Sequence, residues 1–203
     1  MTNATIFIVD DDPAVLDALS MMVEQEGYSV KTFACAEAFL SAYQQEVLGC
    51  AVLDVRMPQI NGLTLQKMMA DRNILLPIIF LTGHGDIPMS VDAIKSGAFD
   101  FLTKPVSREK LLSVVRLAII ECDKRLSQYA SIQEAKNLLA DLTDREREVM
   151  LLAINGFPNK EIARRLNISH RTVEIHKSKI MHKTGAINLL DLASIAREGG
   201  IFD

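Results

Sequence analysis

Short, largely apolar runs in the first half of the chain each break off into polar residues. Ile6-Phe7-Ile8-Val9 leads into Asp10-Asp11-Asp12-Pro13, and Ala51-Val52-Leu53 leads into Asp54. Ile78-Ile79-Phe80-Leu81 leads into Thr82-Gly83, and Phe99 to Leu102 into Thr103-Lys104-Pro105. Apolar runs of this length suit parallel strands buried on both faces. Ser29 to Phe33 reads as a further strand. Leu16, Leu19, Met22 and Val23 recur at helical spacing until Gly27, with Asp12 as N-cap and Pro13 in the first turn. Ala36 to Gln44, Leu63 to Ala70 and Ile87 to Ser96, the last ended by Gly97, read as three more helices. A fifth helix starts near Ser107. This alternation predicts an α/β fold, a five-stranded doubly wound parallel sheet with right-handed crossovers.

The fifth helix has no obvious stop. Val115, Ile119, Cys122, Leu126 and Tyr129 alternate by four and three residues. Two readings therefore stand for residues 122–139: a helix running on as a connector or pairing with a second copy, and an amphipathic helix that packs on its own domain and then frays into a polar linker. From Leu142 the character changes. Thr143 and Glu146 form a capping box that opens an amphipathic helix, which ends before Gly156-Phe157-Pro158. Asn159 is placed to cap a short helix over Lys160 to Leu166. Ser169 is placed to cap another that begins near His170. Two helices joined by the tight turn Asn167-Ile168-Ser169 read as a helix-turn-helix within a small all-α unit. The expected boundaries are 1–121 for the α/β unit, 122–139 for a helical extension and 140–203 for the second unit.

Charge supports the division. The 203-residue chain carries a net charge of −4. Residues 1–121 hold 9 basic and 15 acidic residues, whereas 160–183 hold 7 basic and 2 acidic. The overall acidity hides a basic patch. Cys35, Cys50 and Cys122 lack metal-ligand spacing and read as reduced thiols of a cytoplasmic protein. Asp10-Asp11-Asp12 follows too soon after the N-terminus for a signal peptide, and Pro77 interrupts the longest apolar stretch, so no membrane contact is expected.

Parallel sheets place chemistry at the carboxyl ends of their strands, which makes Asp54 a candidate site residue. The plain alternative is that Asp54 caps a turn. If neighbouring strands bring their ends together, Asp10, Asp11, Asp54, Thr82 and Lys104 share one pocket. Clustered carboxylates repel, so either their pKa values rise or a cation sits among them. All-oxygen donors suit Mg²⁺, which binds through one or two carboxylates plus phosphate oxygens, and the pocket points to phosphoryl transfer.

On these motifs, roughly Thr5 to Ile120 resembles the receiver domain of bacterial two-component response regulators. The resemblance implies a flavodoxin-like fold in which Asp54 accepts a phosphoryl group from a sensor histidine kinase. It implies that Asp11, Asp54 and the main-chain carbonyl of Arg56 bind Mg²⁺, with Asp10 acting through water. Thr82 would hydrogen-bond the phosphoryl group and Lys104 would pair with it. Lys104-Pro105 would be cis, and Phe101 would occupy the aromatic switch position.

Leu142 to Ala196 resembles the LuxR-type four-helix DNA-binding domain, on Leu142-Thr-x-Arg-Glu-x-Glu-Val, Asn159-Lys-Glu-Ile-Ala and Thr172-Val-Glu-x-His176. The resemblance places Glu174, Ile175 and Ser178 at base-facing positions of the second helix of the motif. Lys160, Arg171, Thr172, His176, Lys179 and Lys183 are better placed for phosphates. Arg164, Arg165 and Lys177 add to the basic patch. Val173 and Ile180 read as core. His176 has an alternative structural role, and Thr184 departs from the aliphatic residue usual there.

The order of the two domains resembles the FixJ and NarL classes, with Thr82 to Met89 favouring FixJ. It implies a transcription factor in which phosphorylation of Asp54 places about −1.5 to −2 charges near Mg²⁺. Thr82 and Phe101 would then move, and two receivers would pair through the helix at 87–96 and the fifth strand, gripping promoter DNA as a homodimer. RNA polymerase is a further partner of such a protein. Two other classes stand beside this reading: a phosphatase working through an aspartyl-phosphate, and a signalling adaptor that binds no DNA.

Overall fold

The computed structural model describes residues 4–83 and 97–201. Strands β1 (Thr5–Val9), β2 (Ser29–Phe33), β3 (Gly49–Asp54), β4 (Ile78–Thr82) and β5 (Asp100–Thr103) form one sheet in the order β2-β1-β3-β4-β5. Every pairing is parallel, with Thr5 opposite both Ser29 and Gly49, and Asp54 opposite Leu81. All six residues of β3 are buried, which is why its sequence shows no polar alternation.

Period-two alternation still divides the core between the two faces. Phe7, Val9, Ala51, Leu53, Ile78 and Phe80 point to one side, over helices α2 (Ala36–Ala42) and α3 (Gly62–Asp71). Ile6, Ile8, Cys50, Val52, Ile79 and Leu81 point to the other, over α1 (Pro13–Glu24) and the first turns of α4 (Arg108–Ala140). The helix expected at 87–96 lies outside the described residues.

The N-terminal helix signals act as their chemistry requires. Asp12 accepts from the Ala14 N–H and caps α1, with Pro13 at its first position. Asn61 accepts from the Thr64 N–H and caps α3, so Asn61-Gly62, which reads as loop in the sequence, is the start of a helix. Gly62 is there for closeness: a Cβ on it would meet the Asp54 carbonyl oxygen at 2.3 Å. The α2 helix stops at Ala42 rather than Gln44, because Tyr43 turns to an extended conformation and packs edge-on against Phe7.

The chain divides into two compact units, Met1–Leu126 and Ser127–Asp203, and α4 contributes to both. In the first unit Val115, Ile119, Cys122 and Leu126 join that unit's own core, the packing on its own domain that the second reading expects, rather than standing free to pair with a second copy. Leu117 and Ile120 are exposed instead. In the second unit Ala135 and Leu139 are buried. The final turn of α4 has no basic residue of its own. Help comes from the next helix, where Arg147 donates to Leu139 O in that turn at 2.8 Å and to Leu142 O just beyond it at 3.2 Å.

That second unit is completed by α5 (Asp144–Ile154), α6 (Asn159–Leu166), α7 (His170–Thr184) and α8 (Leu189–Glu198). Eight residues of α6 are too few for a helix to persist alone, and Ile162, fully buried, ties it to the core formed with Val149, Val173 and Ile180. Asn159 does not cap α6 as the sequence suggests. Pro158 holds that position, and Asn159 Oδ1 instead accepts from Lys177 Nζ at 3.1 Å. Thr184 fits where an aliphatic residue is usual because its hydroxyl donates to Ile180 O at 2.8 Å.

Thr143 and Glu146 form both halves of the capping box at the start of α5. Glu146 is buried, and the Lys183 ammonium 2.7 Å away together with the Thr143 N–H holds its carboxyl down at about 2. A carboxyl whose folded-state pKa is depressed stabilises the fold above its unfolded value, near 4.5, and loses that contribution as pH falls toward 2. Replacing Glu146 by Gln, which keeps an acceptor, should lower the protection of α5 amides by about 1 kcal/mol at pH 7. Hydrogen exchange on the full chain checks this, and the gap to wild type should narrow as pH drops below 4.5.

Candidate functional site

The strand order reverses direction between β1 and β3, and in such sheets a crevice opens beyond the carboxyl ends of those strands. Asp10 follows β1 and Asp54 ends β3, so the crevice receives two carboxylates, 1% and 7% exposed. Lys104, just past β5, reaches across to both. Its ammonium lies 2.8 Å from Asp54 Oδ1 and also donates to Asp10 Oδ2. The remaining carboxylate oxygens are held by the main chain: Arg56 N–H donates to Asp54 Oδ2 at 2.8 Å, and Asp12 N–H to Asp10 Oδ1 at 3.0 Å.

The electrostatics follow from burial opposed by pairing. Burial pushes the Asp10 carboxyl up, more than its hydrogen bonds to Lys104 and Asp12 pull it down. Burial alone would lower Lys104, but its bonds to Asp10 and Asp54 and their charges outweigh that and raise it. A cation thus sits between the carboxylates, as their clustering requires, and in this structure it is the chain's own ammonium.

The other expected pocket residues surround this pair. Thr82 ends β4, is 2% exposed, and accepts at its carbonyl from Lys104 N–H at 2.6 Å. Asp11 is exposed and lines a cavity of about 450 Å³ with Arg56, Met57 and Asn61. Phe101 on β5 is partly buried, its ring 6.2 Å from that of Phe80. The Lys104-Pro105 peptide is cis, as the resemblance implies.

Among the described residues no three His, Cys, Asp or Glu side chains form a group that could hold a metal ion. Mg²⁺ does not need one. It binds through one or two carboxylates and keeps several waters. Asp11, Asp54 and the Arg56 carbonyl are hard oxygen donors, Asp11 and Arg56 line an open cavity, and that donor chemistry fits the ion.

The second candidate surface is on α6 and α7. Ser169 caps α7 by accepting from Thr172 N–H at 3.0 Å, and its hydroxyl also bonds the Thr172 hydroxyl at 2.8 Å. Val173 and Ile180 are buried, which turns Arg171, Glu174, Ile175, Ser178 and Lys179 outward as one exposed edge, with Lys160 exposed on α6. Ile175 is 47% exposed, a large apolar side chain left in solvent. His176 is half-buried, and its Nδ1 is buried without a hydrogen-bond partner.

Several cations of this unit serve the fold. Lys183 Nζ is engaged by Glu146 and by Asp141 O at 2.9 Å. Arg165 pairs with Glu161 and lies 4.0 Å over the Phe157 ring. Arg145 donates to Glu148 and to the Leu166 carbonyl. Among the pairs that escaped the sequence reading, His170 Nδ1 lies 3.5 Å from Glu174 Oε1, at the i,i+4 spacing that could have shown it.

The family model for the response regulator receiver domain matches residues 6–116, and that for bacterial regulatory proteins of the luxR family matches residues 140–196. The response regulator protein TmoT of Ectopseudomonas mendocina is 44% identical over 193 residues, spanning 95% of this chain and 88% of that protein. The transcriptional regulatory protein FixJ of Bradyrhizobium diazoefficiens is 38% identical over 202 residues, spanning 100% of this chain and 98% of that one. The solved structure of the response regulator StyR superposes with a TM-score of 0.84 at 37% identity, covering 97% of this chain and 100% of that one. Full-length FixJ from B. japonicum superposes at 0.60 with 38% identity, each chain covered at 100%. The chain therefore belongs to the two-component response regulators that join a receiver domain to a LuxR-type DNA-binding domain, and it is a DNA-binding transcriptional regulator.

Proposed function

We propose that Asp54 is the phosphoacceptor, that a sensor histidine kinase supplies the phosphoryl group, and that the modified chain binds promoter DNA as a homodimer. The observation that carries this reading is the convergence of Asp10, Asp54 and Lys104 at the carboxyl ends of β1, β3 and β5. In the transfer, an Asp54 carboxylate oxygen attacks phosphorus, the phosphorus–nitrogen bond to the donor imidazole breaks, and the imidazole leaves with its electron pair. The Arg56 N–H orients the carboxylate for attack. Lys104 exchanges its contact with Asp54 for one with a phosphoryl oxygen, while Asp10 keeps the ammonium in the site. Thr82 turns its hydroxyl to the phosphoryl group, and Phe101 rotates inward beside Phe80.

Asp11, Asp54 and the Arg56 carbonyl would hold Mg²⁺, with Asp10 acting through water. When bound, the ion offsets the negative charge that gathers on the transferring oxygens.

In this reading the receiver occupies residues 1–121, the helical extension 122–139 and the DNA-binding domain 140–203. Glu174, Ile175 and Ser178 face bases; Lys160, Arg171, Thr172, His176, Lys179 and Lys183 face phosphates, Lys183 with two of its three donors already engaged. Receivers pair through the fifth strand and the helix expected at 87–96, which lies outside the described residues. RNA polymerase is the downstream partner. No helix among the described residues is long and apolar enough to cross a membrane, and a cytoplasmic location suits the DNA-binding role.

Radiolabel from a phosphorylated kinase should become attached at Asp54. Asp54→Asn should abolish that labelling and the rise in sedimenting mass on adding acetyl phosphate and Mg²⁺. Wild-type mass that stays constant would reject dimerisation as the switch.

Lys104→Gln removes the ammonium that bridges two buried carboxylates. The receiver should lose about 1–3 kcal/mol of stability, read as hydrogen exchange at β1 and β3 amides. Because protonation relieves the repulsion, the deficit should shrink as pH falls into the carboxylate range. Millimolar Mg²⁺ should shrink it at neutral pH.

A further inference from the structure

The pair formed by His170 and Glu174 sits where the second helix of the motif begins, and the frame beneath it is fixed. Ser169 caps the helix, Val173 is fully buried beneath, and both paired side chains remain more than half exposed, at 57% and 56%. Glu174 therefore projects from the outward edge with its Oε1 3.5 Å from the imidazole Nδ1.

We propose that His170 is a specificity-determining positioning residue: its imidazole holds the Glu174 carboxylate for one base-pair edge, and does so most when protonated. This rests on the reading that α7 enters the major groove. A bare carboxylate approaching a duplex is repelled by its phosphates. An imidazolium 3.5 Å away offsets that charge and fixes the side-chain rotamer before binding, so less ordering is left for the complex to meet. A carboxylate has about four lone-pair sites, acceptor capacity for the imidazole and for the N4 amino group of cytosine together. Deprotonation of His170 removes the offset and loosens the rotamer.

The neighbouring charges leave this role to His170. On α5 and α6, Arg145 and Arg165 are held by Glu148 and Glu161. On α7, Lys177 is held by Asn159 and Lys183 by Glu146. Lys160, Arg164, Arg171 and Lys179 are exposed. The other imidazoles of α7, His176 and His182, lie two and three turns further on.

The test uses the full chain and competition between two duplexes, so that differences in phosphorylation or dimer level cancel. Duplexes are selected from a random pool, and the cytosine whose preference is lost in Glu174→Gln marks the contacted pair; the competitor carries thymine there. The wild-type preference for cytosine should be about two- to fivefold greater at pH 6 than at pH 8. His170→Gln should flatten that pH dependence. His170→Lys, charged throughout, should keep the acid-side preference at pH 8, which a merely structural role for the residue would not do. A Glu174-dependent preference that is equal at both pH values, or that keeps its pH dependence in His170→Gln, overturns the proposal. Retention of selected duplexes with no Glu174-dependent position overturns it together with the base-contact reading. Failure to retain any duplex above random overturns the groove placement itself.

Discussion

Two carboxylates are buried side by side at the end of the parallel sheet, and the structure is arranged around keeping them tolerable to one another. Asp10 and Asp54 are nearly inaccessible to solvent, so water screens their mutual repulsion poorly. The Lys104 ammonium between them and the two main-chain N–H donors behind them replace what water would supply. Strand order is what makes that replacement geometrically available. Because the sheet runs β2-β1-β3-β4-β5, the ends of β1 and β3 are adjacent, and a lysine two strands beyond β3 is within reach of both. The same arrangement leaves Asp54 held by one cation and one N–H while Asp11 and Arg56 border an open cavity beside it. Stability and chemistry thus draw on the same few groups, as they do where a site is held short of full neutralisation.

The second unit handles charge by dividing it. Its helices are short, and buried apolar residues such as Ile162, Val173 and Ile180 set their faces. Long cationic side chains then bind one element to another: Arg147 at the carbonyls that end α4, Arg145 at the carbonyl that ends α6, Lys183 at the capping box of α5. Arg171 and Lys179 are instead exposed along one edge of α7 with Glu174 and Ile175. Counting arginines and lysines cannot separate the two populations, because Lys177 and Lys183, which serve the fold, lie in the same basic stretch as Arg171 and Lys179.

Much of the fold was legible in order. The parallel strands announced themselves as apolar runs, since a strand covered on both faces has no reason to alternate, and Asp12, Thr143 and Ser169 acted as the caps their positions suggest. The readings that shifted were those in which a side chain has more than one partner of suitable chemistry. Asn159 has the composition of a cap, but Lys177 eighteen residues away takes its oxygen. Tyr43 ends α2 early because an aromatic cluster offers its ring better packing than another helical turn. The repeating stripe on α4 left two readings open, pairing with a second copy or packing on its own domain, and the core of the first unit takes it.

Local pattern determined which residues would stand at strand ends and helix starts, and the acid, hydroxyl and lysine positions of the receiver pocket follow from that alone. Only the tertiary structure decided that Lys104 would rest on Asp10 as well as Asp54, and which basic residues of the second unit would be spent on its own carbonyls and carboxylates. The physical reason is distance along the chain. Spacing within one helix or strand fixes neighbours a few residues apart, whereas the partner of a charge ninety residues away depends on how the sheet is ordered and how the helices pack.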